Sequence, residues 1–461
     1  MNRQALDYLK DWRDRPSRKP LVIRGARQVG KSHLVRQFAA SSFLDLLEIN
    51  LELNKQVLPY FEKESPAEIL KLLGLHFDLP AKEGTTLLFL DEIQAAPHLL
   101  AKLRYFYEKL PGLHVIAAGS LLDFVLEEHT FSMPVGRIEY LYLGPMTFRE
   151  FLAATGHQDL SSFLDAFTMD QDLPAPLHGK LTDLFKQYLI VGGMPESVRV
   201  FSESGSYRDC DRVKQSILAT YVDDFSKYGA RVNHELLSTV FRALPNATGR
   251  ITKYTQISRD FRSQEIARAL RMLSLARICY PVHRSSCEGI PLGATVNAKK
   301  MKLLLLDVGL LTAASGLSMA SIESATDLLL VNSGSITEQF VGQHLLYRQE
   351  PYREPELHFW TREQPSSNAE IDYAISVGMH VIGVEVKSGT TGSLRSLNQF
   401  MLEKKYPLAV RFNLDRPSVC QSVGRMPAGD AYNYTLLSLP CYMVEQVDRL
   451  VAERLHPSST A

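Results

Sequence analysis

Between residues 20 and 145, short apolar and β-branched runs alternate with stretches of helical periodicity. The runs are Pro20–Arg24, Asp45–Leu51, Thr85–Asp91, His114–Gly119 and Ile138–Leu143. Strand-like runs spaced by helix-length segments predict an α/β arrangement, a parallel sheet covered by helices. After Gly144-Pro145 the pattern turns helical, at Phe148–Ala154, Ser161–Phe167 and Lys180–Ile190. Thr168–Gly179 reads as a loop, because Pro174 and Pro176 would stop a helix running in from Ser161. His234–Leu244 opens a third region that runs to about residue 330. From 331 to about 451 helix mixes with alternating strands, and the polar tail His456–Ala461 is expected to fray. There is no internal repeat and no low-complexity tract.

Composition narrows the class. The chain has 461 residues, 45% of them apolar, which excludes wholesale disorder and suggests about three domains. No apolar run reaches the roughly 18 residues that a membrane helix needs. Charges interrupt every apolar stretch of the first twenty residues, so no signal peptide is expected. The five cysteines form no C-x-x-C pair, which fits free thiols and a cytoplasmic protein. Lys and Arg equal Asp and Glu at 51 each, but the balance is uneven along the chain. Residues 227–302 hold fourteen Lys and Arg against four Asp and Glu.

The candidate chemistry begins after the first strand. Gly25-Ala26-Arg27-Gln28-Val29-Gly30-Lys31-Ser32 matches G-x-x-x-x-G-K-[ST], followed by a helix from about His33 to Ala40. Two glycines let backbone N–H groups curl around phosphate oxygens, and the helix N-terminus adds partial positive charge. The eight residues and His33 are therefore the expected nucleotide contacts. Lys31 would reach the β- and γ-phosphates of ATP, and the Ser32 hydroxyl would ligate Mg²⁺. The stretch Thr85–Glu92 ends in two carboxylates. Asp91 would hold Mg²⁺ through water beside Ser32, and Glu92 would polarise the attacking water. Ser120, after the strand His114–Gly119, is placed to sense the γ-phosphate or to orient water. Arg137 would either act as an arginine finger on a neighbouring subunit's nucleotide or pair with a surface carboxylate.

Through GARQVGKS, LFLDEIQ, AAGS and GRIEYLYLGPMTFREFL, the chain resembles a widespread prokaryotic AAA-type ATPase family. Members carry a C-terminal domain of unknown function fused to the ATPase core. IVGGMP at Ile190–Pro195, LDVGL at Leu306–Leu310 and the Glu370–Lys387 region match as well. The resemblance implies four parts: a P-loop core (1–145), a helical lid (146–228), a winged helix (229–330) and a nuclease-like α/β domain (331–451). It also implies a homo-oligomer, a hexameric ring being the expected form, and an adenine contact at Pro195. Read by itself, Gly192-Gly193-Met194-Pro195 is a helix terminator.

The basic segment has an order of its own: a helix (His234–Leu244), a short helix (Thr252–Ile257), a turn, a helix (Arg262–Leu275) and a strand (Ile278–His283). That order reads as a winged helix-turn-helix. On the third helix Ile266, Leu270 and Leu273 form an apolar stripe, while Gln264, Arg268 and Arg271 share the opposite face. Such a face would meet nucleic acid, or be solvated if the helices pack on another part. Cys279, His283 and Cys287 lie close in sequence but match no zinc spacing.

Residues 370–387 alternate on both sides of Gly378-Met379, which predicts a two-residue hairpin with Gly first. Val377 then pairs with His380, and Asp372 falls opposite Glu385 with Lys387 on the same face. The D-x12-E-x-K spacing resembles restriction-endonuclease-like folds, and Glu338 on the preceding helix matches their extra acidic residue. In an active version Asp372, Glu385 and Glu338 would hold a metal, Lys387 would stabilise charge, and Gln399 could support them. Alternatively, Lys387 alone neutralises the carboxylate pair. The expected function is an Mg²⁺-dependent ATPase acting on nucleic acid. An ATP-regulated nuclease and a switch acting on a protein partner are the alternatives.

Overall fold

The structure, a computed structural model, describes residues 1–124, 136–227, 233–316, 333–363, 369–389, 394–425 and 431–456. The expected 330/331 boundary and the tail beyond His456 lie outside them. The chain forms two units. The first is Met1–Pro145 with Leu275–Ile278 and Gln349–Pro355, and the second is Met146–Ser274, Cys279–Arg348 and Glu356–Ala461.

In the first unit five strands pair in parallel, in the order β2-β3-β4-β1-β5. They are β1 (Leu21–Arg24), β2 (Asp45–Asn50), β3 (Thr86–Asp91), β4 (His114–Gly119) and β5 (Glu139–Tyr142). Every residue of β3 and β4 is buried, as their near-continuous apolar sequence requires. Around them lie α1 (Ala5–Asp14), α2 (Lys31–Ser42), α3 (Leu58–Lys63), α4 (Pro66–His76) and α5 (Leu99–Lys109). Leu99, Leu100, Leu103 and Phe106 of α5 pack in one core with Leu88, Leu90, Val115 and Ala117 of the sheet. Helix α1 is absent from the sequence reading. It buries Leu6, Leu9 and Trp12, whose indole N–H donates to Lys19 O at 2.9 Å.

The second unit holds helices α6 (Phe148–Ala154), α7 (Gln158–Ala166), α8 (Ala175–Val191), α9 (Pro195–Ser204) and α10 (Tyr207–Asp224). The predicted loop before α8 is shorter than expected. Pro174 ends the approach, but Pro176 sits in the first turn of α8, where a missing N–H costs nothing. Then come α11 (His234–Ala247), α12 (Tyr254–Ile257) and α13 (Ser263–Leu275), followed by the antiparallel pair β6 (Cys279–Ser285) and β7 (Val296–Leu305). Helices α14 (Val308–Ala314) and α15 (Ser333–Leu346) precede β8 (His358–Thr361), β9 (Glu370–Val377) and β10 (His380–Val386). The chain closes with α16 (Arg395–Lys404), β11 (Leu408–Asn413), β12 (Ser418–Arg425), β13 (Ala431–Pro440) and α17 (Val447–Leu455).

All eight strands of this unit form one mixed sheet, β12-β13-β11-β10-β9-β8-β6-β7. The expected winged-helix strands therefore share a sheet with the expected nuclease-like strands, through the parallel pair β6–β8. The hairpin register is the predicted one, with Val377 opposite His380 and Tyr373 opposite Val384. Gly378 takes φ 56°, the left-handed value that its turn position needs. Among the described residues no helix is long and apolar enough to cross a membrane.

Candidate nucleotide site and carboxylate cluster

The loop between β1 and α2 is shaped by its own sequence. Gln28 and Gly30 adopt left-handed φ of 67° and 90°. A Cβ on Gly25 would lie 2.3 Å from Leu143 O, so only glycine lets β1 leave the sheet beside β5. Ala26 and Val29 are buried, Arg27 is half-buried, and Gln28 and His33 are exposed. Lys31 Nζ donates to the Gly25 and Ala26 carbonyls at 3.0 and 2.8 Å. Burial pulls its ammonium down to about 8, against the opposing pull of Glu92 and Asp91.

Ser32 Oγ donates to Asp91 Oδ2 at 2.7 Å, and Asp91 Oδ1 accepts the Glu92 N–H at 3.0 Å. Burial raises the Asp91 carboxyl above its ordinary value, partly offset by these bonds. Glu92 sits at left-handed φ 52° just beyond β3, which turns its side chain out of the strand alternation. Its Oε2 accepts from Gln94 Nε2 at 2.5 Å. A Cβ on Gly119 would lie 2.3 Å from Gln94 Oε1, so the end of β4 closes tightly on the same glutamine. Ser120 follows, buried.

Two of these partners, Gln94 and Arg3, were missed by the sequence reading. The buried Arg3 guanidinium donates to Val29 O at 3.0 Å and Gly144 O at 2.8 Å, bracing the phosphate loop from behind. Gln94 closes the LFLDEIQ run without a role being assigned to it, and only α1's apolar spacing could have pointed to Arg3's segment. Arg137 pairs with Glu108 at 3.2 Å, 46% exposed, so within the chain it makes the surface ion pair named as one alternative. Pro195 lies in the second unit, at the start of α9. Its loop is tied down by the Gly193 N–H donating to Asp307 Oδ1 at 2.6 Å.

On α13, Ile266, Leu270 and Leu273 are buried, and Gln264, Arg268 and Arg271 are exposed. Cys279 and Cys287 are buried free thiols, pushed up to about 12 and about 11 by burial. Further on, Glu338 of α15 and Asp372 of β9 share Lys302, and Glu385 of β10 lies beside Asp372; among the described residues no three such side chains are grouped to hold a metal. Asp372 Oδ2 accepts the Val386 N–H at 2.8 Å, and Glu385 Oε1 accepts from Lys387 Nζ at 2.5 Å. Gln399 bonds Glu403 instead of the cluster. The sequence reading did not foresee Lys302 of β7, whose Nζ lies 2.9 Å from Glu338, 2.6 Å from Glu370 and 3.4 Å from Asp372. Burial would lower this ammonium, but the three carboxylates outweigh it and hold it above the usual lysine range.

Residues 17–152 match the AAA domain family. Residues 182–321 and 333–442 match two domains of unknown function, DUF8612 and DUF4143. No curated protein matches the sequence. Among solved structures, similarity extends to the Aeropyrum pernix ORC2 protein in its ADPNP-ADP complexes, at 14% identity over 70% of this chain and 94% of that chain, TM-score 0.32. The Thermotoga maritima RuvB Holliday junction branch migration motor is 14% identical over 62% and 90% of the two chains, TM-score 0.29. For Caenorhabditis elegans PCH-2 the values are 9%, 45% and 64%, TM-score 0.27; the chain spans under two thirds of that protein's length. With its parallel sheet, its Gly25–Ser32 loop and the Asp91-Glu92 strand end, the segment 17–152 is similar to the AAA domain family.

Proposed function

We propose that the chain binds and hydrolyses ATP with Mg²⁺ at the Gly25–Ser32 loop and works as a homo-oligomer, a hexameric ring, on nucleic acid. The observation that carries this reading is the hydroxyl of Ser32 set 2.7 Å from Asp91, with Glu92 next along the chain. Two hard oxygen donors fit Mg²⁺, which takes few protein ligands and completes its shell with phosphate and water. Bound there, the ion would offset charge on the phosphate oxygens. Lys31 holds the β- and γ-phosphates, and the loop N–H groups of Gly25–Lys31 cradle them. Glu92 orients the attacking water and takes its proton, held in place by Gln94. Ser120 senses the γ-phosphate, and Arg137 leaves Glu108 to serve a neighbour's nucleotide. Pro195 contacts the adenine from the lid.

Lys31 provides a test through pH. Only its ammonium binds phosphate well, so affinity of the free protein for ATP should fall about tenfold per pH unit above about pH 8. Equilibrium binding of a fluorescent ATP analogue checks this, and flat affinity up to pH 10 would contradict it. Stability moves the other way. The unfolded chain keeps this lysine protonated up to its ordinary 10.5, so between about 8 and 10.5 the nucleotide-free fold gains stability as pH rises.

The α11–α12–α13 order followed by the β6–β7 pair supports a winged helix-turn-helix reading, with the exposed Gln264, Arg268 and Arg271 as the contact face. Replacing both arginines by alanine should weaken DNA or RNA binding and reduce the salt slope by about two. Fluorescence anisotropy across a salt series measures both. Binding that is negligible and insensitive to salt would favour an ATP-controlled switch acting on a protein partner.

A further inference from the structure

A divalent cation among Glu338, Asp372 and Glu385 is what the D-x12-E-x-K spacing leads one to expect. The structure puts Lys302 at that focus instead. Its side chain is 1% exposed, although a lysine on an outer strand can ordinarily extend its head to water. The pattern of β7 explains the depth. Residues 298 and 299 are exposed, whereas Met301 through Leu305 are all buried. Lys302 therefore enters the core with its apolar neighbours, its ammonium 5.5 Å from the Phe359 ring centre.

An ammonium has three N–H donors, and here three carboxylates stand around it: Glu338, Glu370 and Asp372. Asp372, the residue a metal would most need, has its second oxygen taken by the Val386 N–H. Glu385 gives one oxygen to Lys387, and Oε2 alone in the Asp372–Glu385 pair has no protein partner. A single uncommitted oxygen is fewer than the one or two whole carboxylates through which a protein ordinarily holds Mg²⁺. A dication at ligand distance from Asp372 Oδ1 would also lie against the Lys302 ammonium and be repelled by it. The residues present thus do not fit a metal. Four carboxylates are met by two ammonium groups from the chain itself.

We infer that Lys302 is a built-in counter-cation standing where a metal would sit, so that the hairpin module binds no divalent ion and cleaves no phosphodiester through one. The module then keeps a nuclease-like arrangement of carboxylates as a structural part of the second unit. This does not depend on the ATPase reading, because the test is run without nucleotide.

The test is a Mn²⁺ titration of the full nucleotide-free chain, followed by electron paramagnetic resonance and by thermal melting. Asp372→Asn is the control that isolates this cluster from the Ser32–Asp91 site. The native chain and Asp372→Asn should bind the same amount of Mn²⁺, and Mn²⁺ should shift their melting temperatures equally. Extra Mn²⁺ bound by the native chain, or plasmid or RNA cleavage lost in Asp372→Asn, overturns the inference. Lys302→Met should melt about 10 °C lower, since it strands buried carboxylates without a partner. An unchanged melting temperature in Lys302→Met would deny the lysine its role. If that variant does not fold, the native titration decides the question.

Discussion

Glu92→Gln is expected to bind ATP as tightly as the parent chain and to hydrolyse it roughly 100- to 1,000-fold more slowly. The amide keeps the size of the carboxylate and leaves Ser32, Asp91 and Lys31 untouched, so the groups assigned to phosphate and metal remain. What is lost is an oxygen basic enough to take a proton from water. Phosphate release at saturating ATP, with equilibrium binding alongside, separates the two effects. Hydrolysis at the parental rate would remove Glu92 from the role proposed for it. Gln94→Ala gives a graded companion result. Its amide only holds Glu92 Oε2, so turnover should fall by about tenfold with binding unchanged.

The elements that local pattern determines were legible. The run His114–Gly119 is strand β4 residue for residue, because a strand buried on both faces is largely apolar, here with His114 at its start. The Gly378-Met379 turn set the hairpin register, and that register brought Asp372 beside Glu385. Where one residue type serves opposite purposes, the pattern misled: Pro176 read as a breaker and is a helix starter. Long-range partners were invisible. Lys302 counted only as one charge in a basic segment, while its carboxylates lie 36 to 70 positions further along. Arg277 was counted in the same way and pairs with Asp123 at 2.9 Å and Glu354 at 2.7 Å. Arg284 and Lys300 share Glu363. The surplus of positive charge is therefore partly spent inside the protein, and the face offered to a polyanion is narrower than the sum over residues 227–302 implied.

Asp307→Ala should cost the fold about 4 kcal/mol of stability. The carboxylate is fully buried and serves three donors: Gly193 N–H at 2.6 Å, Leu310 N–H at 3.1 Å and Gln343 Nε2 at 3.3 Å. It thereby caps α14 and fixes the Gly192–Pro195 loop at once. Gly192, at φ 77°, leaves no space for a side chain, since a Cβ there would lie 2.2 Å from Asp307 Oδ2. Burial raises the Asp307 carboxyl above its ordinary value, so the charge itself is unfavourable at neutral pH. The three donors make the residue stabilising nonetheless, because alanine strands them in a site that is closed to water. A drop of roughly 10 °C in melting temperature is the expected reading for a unit of this size. Asp307→Asn, which keeps one acceptor oxygen, should recover about half of it. Melting of the alanine chain within a degree or two of the parent would show that the loop and the α14 cap hold without this carboxylate.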